Sequence, residues 1–497
     1  MSYDEGGLSK VLRPLTYTSR KFYIFISVLA IATIWFLYAW YVQLKYGLGV
    51  TGMRDYVIYG LYIANFVFLI GVSHAGIAIS AGVRLLKVTV LKPIVRMAEL
   101  LTAVSLIIAF MNVLFDLGRP ERILNMFAYG RWLSVLVWDM TSITTYLVAT
   151  IIYLYVTMRE DIALCAKYLL KRSWLYRIAS LRYRYDMLSR KAHEKAAWWL
   201  ALAILPIMVS VHTVVSWVFG LMVRPGWYNP FFGPYFVTGA IASGVATIIM
   251  VAAVFRKIFQ WEFLITPQIF RILSNFLRVV LAIYIYFMIC EQVTVRYLGP
   301  AREKEVSNIL FFGNYAALYW FVVIITLAIP FIMLSIYTFI PKLFSIKLIV
   351  LAATLINIGL WIKRIIIVIP VLLRPELPYP LGIYIPTWVE FSLIIGGYAI
   401  AALIYTVFVK LFPIVELATV GSHEDSESSE VQFKIKKHPI VALAIIGTLT
   451  LISGILGMSY VKYPYSYPEI PWAPAAWLLG IITLLSIPLA YILSFKE

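Results

Sequence analysis

Several groups in this sequence able to exchange protons near neutral pH lie inside apolar stretches. His74 sits in Gly71-Val72-Ser73-His74-Ala75-Gly76, Glu99 follows Arg96-Met97-Ala98, Asp139 follows Trp138, and His212 lies between Val211 and Thr213. Asn65 and Asn112 stand in similar surroundings. A second set comprises Glu291, Lys363, Arg364 and Glu390. An ionisable side chain among apolar neighbours is costly unless it meets a partner or a cavity. Imidazole and carboxyl groups so placed are the types that take or give protons at a bound substrate. The first set reads as a polar pocket with further protonatable groups beyond it. In the second, opposite charges should pair, because an unpaired buried charge is expensive. Such pairs either tie helices together or form part of a proton path.

Metal and cofactor chemistry has less support. Cys165 and Cys290 are the two cysteines, whereas an iron–sulfur cluster or an all-thiolate zinc site needs four thiolates. A b-type haem would need two axial imidazoles at nearly one depth. Yet His74 is placed about 17 residues and His212 about 10 residues below the same end of their runs, a difference of ~10 Å at 1.5 Å per residue. No GxGxxG, Walker or HExxH pattern stands in a context that gives it meaning. The chain is expected to carry no haem, no iron–sulfur cluster and no metal.

The elements that must hold these groups follow from composition. Of 497 residues, 62% are hydrophobic and 13% charged, and the mean hydropathy is +0.89. A soluble domain has about 45–50% apolar and about 25% charged residues, so that class is excluded, as are a disordered chain and a disulfide-stapled domain. A helix needs about 20 apolar residues to cross a bilayer. Twelve runs qualify: 22–44, 57–83, 93–115, 134–157, 197–221, 234–254, 272–297, 314–340, 346–372, 386–412, 439–461 and 474–494. The first lacks a small-residue cleavage site and should remain as an anchor. Basic residues concentrate in alternate loops, which orients the chain with both termini in the cytoplasm. The net charge of +18 therefore points to membrane orientation and anionic lipid, not to nucleic acid.

Three segments divide the chain. Residues 1–420 form a membrane core, 421–438 a polar linker and 439–497 an added C-terminal helical hairpin. Within the core, 158–196 is a basic cytoplasmic segment, expected as a surface helix or solvated loop. The outer loops are rich in proline and aromatics, as in Arg224-Pro225-Gly226-Trp227-Tyr228-Asn229-Pro230-Phe231, Arg374-Pro375-Glu376-Leu377-Pro378-Tyr379-Pro380 and Tyr463-Pro464-Tyr465-Ser466-Tyr467-Pro468. They suit either an interfacial belt or a stiff platform for an external subunit. Trp227 and Tyr228 would face such a partner. Asp116 and Arg119, in Asp116-Leu117-Gly118-Arg119-Pro120, would pin the outer end of the third run nearby.

In order and spacing these segments resemble the NrfD/polysulfide-reductase membrane-subunit family. The resemblance rests on Gly60-Leu61-Tyr62-Ile63-Ala64-Asn65-Phe66-Val67-Phe68, the His74 and Glu99 segments, Asp116 to Pro120, and Ser134 to Trp138-Asp139. Pro225-Gly226-Trp227, Gly233-Pro234-Tyr235-Phe236, Asn357 to Trp361, Arg364 and Pro386-Thr387-Trp388-Val389-Glu390 are similar to its ten-helix branch, which includes the quinol-oxidising subunits of alternative complex III. The likeness covers residues 20–420, and the hairpin lies outside it. With the twelve apolar runs, the expected fold is an all-α polytopic membrane protein of about twelve transmembrane helices, for which the resemblance implies a core of two four-helix bundles plus flanking helices. It also implies a cofactor-free subunit in the cell membrane that binds quinone, of menaquinone type or related, as substrate. The expected partner is a ferredoxin-like iron–sulfur subunit, with a molybdopterin or cytochrome subunit beyond it.

The resemblance places His74 at the family's quinone-binding histidine and matches Glu99, Asp139 and Glu291 to acidic positions. Asn65, His212 and an aromatic wall at Trp138 complete the expected pocket. Lys363 departs from the pattern, standing where an acidic residue is expected before the arginine. The competing expectation is a proton- or ion-coupled secondary transporter, which twelve spans and intramembrane charges also suit.

Overall fold

Ten helices of 24–34 residues carry the fold. They are seen in a computed structural model that describes residues 5–169, 172–181, 183, 186–374 and 382–417. In chain order they are α1 (Arg20–Tyr46), α2 (Leu61–Leu85), α3 (Lys92–Asp116), α4 (Val135–Tyr168) and α5 (Met187–Gly220). Then come α6 (Phe232–Ile258), α7 (Pro267–Leu298), α8 (Ala316–Phe339), α9 (Ile346–Leu372) and α10 (Trp388–Leu411). Each is long and apolar enough to cross a bilayer. The linker and the last two apolar runs lie outside the described residues, as do Pro375 to Pro380 and the basic residues Lys171, Arg182 and Arg184.

Local chemistry sets several ends. Ser19 caps α1 by accepting from Phe22 N at 3.4 Å, and Gly47, at φ 71°, closes it. Asp186 caps α5 through Ser189 N at 2.6 Å. Thr387 and Glu390 form a capping box on α10.

Packing divides the helices into two closed rings of four. α2 contacts α3 and α5, and α4 bridges α3 and α5; in the second ring α6 contacts α7 and α9, and α8 bridges α7 and α9. α2 joins the bundles by packing on α6 and α9, while α1 and α10 flank the first bundle, α10 resting on α3. This is the expected architecture of two four-helix bundles with flanking helices. Lipid supplies no hydrophobic drive between helices, so close backbone approach matters. A Cβ on Gly76 of α2 would lie 2.1 Å from Ala98 O of α3, and one on Gly244 of α6 would lie 2.7 Å from Ala75 Cβ. Small residues thus seat α2 against both neighbours directly beside His74.

The helices depart from the apolar runs in three places. α2 starts at Leu61 rather than 57. α4 and α5 run on to Tyr168 and back from Met187, so most of the basic segment 158–196 is helix extending from the bundle, with a short helix, Ser173–Ala179, between. Apolarity marks where lipid ends, not where a helix must stop. Finally, α8 contains a π-helical stretch, Phe321–Ala328.

The end of the bundle at which the chain enters α1 is called proximal below, and the opposite end distal.

Candidate functional site

At the centre of the first bundle two buried imidazoles touch. The rings of His74 on α2 and His212 on α5 lie 4.8 Å apart, edge to face, and both residues are fully buried. The depth difference expected between them is corrected: the rings are in contact, and the later start of α2, at Leu61 rather than 57, accounts for part of the difference. His74 Nδ1 is 2.8 Å from Ile70 O. Neither ring nitrogen of His212 has a hydrogen-bond partner among the described residues. Tyr146 of α4 packs 5.9 Å from the His74 ring and donates to Ser73 O at 3.1 Å. Phe236 of α6 covers the far side of His212 at 6.0 Å.

Distal to this pair lies a second polar level, formed by Tyr59, Asp116 and Asp139. Asp139 is buried, and its Oδ1, like that of Asp116, has no hydrogen-bond partner among the described residues. Burial, with the carboxyl groups of Asp116 and Asp139 nearby, pushes the Tyr59 phenol up to about 12. Asp139 precedes Tyr146 by two turns of α4, so this level stands ~10 Å above the imidazoles. Aromatic rings line the descent: Tyr59 to Trp227 at 6.4 Å, Trp227 to Phe219 at 5.1 Å, and Phe219 to Phe236 at 6.1 Å.

Several expected pocket residues lie elsewhere. Glu99 is at the proximal end of the bundle, inside an ion network. Its Oε1 accepts from Ser80 Oγ at 2.6 Å. Its Oε2 accepts from Thr157 Oγ1 at 2.8 Å and from Arg96 Nη1 at 3.0 Å. Arg96 also pairs with Asp161 at 3.2 Å and Glu416 at 3.5 Å, and it donates to Thr157 O. Asn65 is engaged on both amide atoms: it donates to Asn112 at 3.2 Å and accepts from Trp361 at 3.0 Å and Tyr398 at 2.7 Å. It is a joint between α2, α3, α9 and α10. Trp138, beside Asp139, donates to Trp132 O and packs on the half-exposed Trp217 at 6.4 Å.

In the second bundle the charges pair only in part. Lys363 Nζ is 3.6 Å from Glu291 Oε2, both buried. A distal cleft lined by Asn229, Glu303 and Ser307 also has this pair on its walls. Arg364 meets no carboxylate among the described residues. It lies 4.2 Å over the Phe236 ring, and its Nη1 has no hydrogen-bond partner. Phe236 thus stands between His212 and Arg364, and through it this arginine brings the second bundle up to the histidines. Glu390 belongs to neither cation. Its oxygens accept from Tyr384 OH at 2.5 Å, Gly52 N at 2.7 Å and Thr387 N at 3.0 Å. Tyr384 OH in turn accepts from Leu61 N at 2.8 Å, fastening the distal loops to α2. Burial, then the Glu390 carboxyl group, push the Tyr384 phenol up.

At the distal surface, Tyr228 is exposed but Trp227 is only 3% exposed and donates to Ile367 O at 2.7 Å. Trp227 therefore anchors its loop and is not free for a partner. Arg119 is exposed and forms no ion pair with Asp116 among the described residues. Sequence reading missed Tyr59, Tyr146 and the proximal partners Ser80, Tyr153 and Arg84. Ser73 and Ser80, two turns apart on one face of α2, were the available signal; Tyr59 lies in the loop before α2 and gave none.

Paired four-helix bundles with acidic and imidazole groups stacked along one of them define a polytopic membrane subunit with protonatable groups at its core. The chain belongs to the polysulphide reductase NrfD family, whose sequence model matches residues 49–376. It is 24% identical to a selenate reductase subunit of Mesobacillus selenatarsenatis over 81% of this chain and 95% of that one. It is 23% identical to the Hdr-like menaquinol oxidoreductase integral membrane subunit of Archaeoglobus fulgidus over 80% and 94%. A putative dimethyl sulfoxide reductase membrane subunit of Halobacterium salinarum is 30% identical over 46% of this chain, the match spanning half the length of that protein.

Proposed function

We propose that this chain is the quinone-reacting membrane subunit of a respiratory oxidoreductase complex, with the quinone head group at the distal level of the first bundle. The observation that supports this most is the stack itself: Asp139 and Tyr59 above a pair of touching imidazoles whose His212 member is unengaged by the protein. Relatives that are a menaquinol oxidoreductase subunit and a selenate reductase subunit fit the same reading.

Quinol oxidation releases two electrons and two protons. Asp139, with a free buried oxygen, is the base at one quinol oxygen. The Tyr59 phenol remains protonated and donates a hydrogen bond that orients the ring. His74 and His212 lie ~10 Å proximal and carry protons away from that level. The electrons leave to a partner, because this chain's two cysteines cannot ligate a cluster. A ferredoxin-like iron–sulfur subunit at the distal end would receive them, followed by a molybdopterin or cytochrome subunit. The distal end then faces outward from the cell membrane and both termini face the cytoplasm. Transmembrane proton translocation would use the column from Asp139 through the histidines toward Glu99.

The test is turnover of the assembled, purified complex with a reduced quinone analogue. General-base loss costs roughly 10²–10⁴-fold, so turnover of Asp139→Asn and His212→Ala should each fall by at least about 100-fold while the complex stays assembled. Wild-type turnover in both variants would end the proposal.

A further inference from the structure

We infer that the lateral groove between α7 and α8 is a binding site for an anionic membrane phospholipid, with the lipid phosphate on Arg296 and a hydrocarbon chain along the groove. The cleft measures about 530 Å³. Ile289, Val293 and Tyr297, one face of α7 at successive turns, form one wall; Trp320 and Val323 of α8 form the other, and Phe311 closes the distal end. Ile289, Val293 and Trp320 are exposed on the outside of the bundle, so the groove opens sideways into hydrocarbon. Its run along α7, from Met288 to Tyr297, is ~13 Å long.

The fold makes the groove. The π-helical stretch of α8 seats Thr326 directly on Gly359 of α9, where a Cβ would lie 1.8 Å from Thr326 Oγ1. That contact holds the distal half of α8 against α9, while its proximal half, Ile329–Phe339, packs on α7, so the groove opens only along the distal half.

Arg296 gives the groove its selectivity. It lies in the last turn of α7, at the distal limit of the span, the level at which head groups sit. Phe311 supports the guanidinium at 4.0 Å. The guanidinium packs against Phe311 and Phe312, its Nε and Nη2 are buried without a hydrogen-bond acceptor among the described residues, and Arg296 has no carboxylate partner among the described residues. It is therefore an uncompensated cation on the wall of an apolar groove. A neutral quinone brings no countercharge to this level. A lipid phosphate does.

The experiment reads the tryptophan in the groove. The full chain is reconstituted into phosphatidylcholine vesicles containing brominated phosphatidylglycerol or brominated phosphatidylcholine. The Trp320 quenching is taken as the difference between wild type and Trp320→Phe. A charge-assisted pair is worth ~1.5–3 kcal/mol, so brominated phosphatidylglycerol should quench at about tenfold lower mole fraction. Arg296→Gln should remove that preference, with unchanged thermal unfolding showing that it folds. Val293→Phe, which fills the groove without touching the charge or adding a tryptophan, should sharply reduce the Trp320 quenching by either lipid. Equal quenching by the two lipids, or a preference that survives Arg296→Gln, would overturn the site. So would displacement of the lipid by menaquinone, or cross-linking of Val293→Cys to residues 439–494, which would assign the groove to another occupant.

Discussion

The proximal network offers a sharp test, because it holds Glu99, which the family resemblance assigned to quinone binding. Arg96 is 4% exposed and holds Glu99, Asp161 and Glu416 at 3.0–3.5 Å. Arg96→Met would keep much of the volume and remove the charge, leaving those carboxylates with Arg84, which reaches Glu416 at 3.4 Å and Glu99 only at 4.0 Å. Orphaning one member of a buried pair costs about 3–5 kcal/mol. Glu99→Gln removes a carboxylate that Arg96→Met would strand, so the double variant should be more stable than the sum of the singles by about 1–3 kcal/mol. The assay is thermal unfolding of the purified full chain in mild detergent, followed by intrinsic fluorescence. If Arg96→Met unfolds with wild type, or the double variant is additive, the network does not fasten α2, α3 and α4. In the intact complex Glu99→Gln should leave the Michaelis constant for quinol within about twofold, because a residue away from the substrate does not contribute uniform binding.

Other outcomes follow from the same geometry. Gly76→Ala would drive a Cβ into Ala98 O; backbone cannot yield as a side chain does, so the folded yield should fall sharply by gel filtration. Lys363→Met should destabilise more than the Lys363→Met/Glu291→Gln pair, since only the single variant leaves a buried carboxylate unpaired; comparative unfolding checks it. The Tyr59 phenol has its folded value raised to about 12 from the ordinary ~10. Its stabilising contribution is therefore complete below pH ~10 and lost as pH rises toward 12. Wild type should lose stability relative to Tyr59→Phe across that interval and not below it.

Much of this was legible in the sequence because lipid imposes strict rules. Each of the first ten apolar runs is a helix, and the order of motifs from Asn65 to Glu390 pointed to paired bundles. Rise along a helix fixes depth only if the helix start is known, which is why His74 and His212 were expected apart and are in contact. The sequence flagged Glu99 as costly, but its relief comes from Arg96 one turn earlier, itself held by Asp161 on a helix that outlasts its apolar run. Asn65 looked like a ligand because an amide in a span needs partners; Asn112, Trp361 and Tyr398 supply them. The π-helical stretch of α8 left no mark, since an extra residue per turn changes backbone pairing and not composition.

The most direct test of the quinone site is photoaffinity labelling with an azido-quinone, followed by peptide mapping of this chain in its purified complex. Label is predicted on the distal parts of α2, α4 and α5 and on the loop before α2, around Tyr59, Asp139 and Phe219, suppressed by excess quinone and reduced in Asp139→Asn. Quinone-protectable label confined to α7–α9, or none on this chain while the complex turns over, would contradict it.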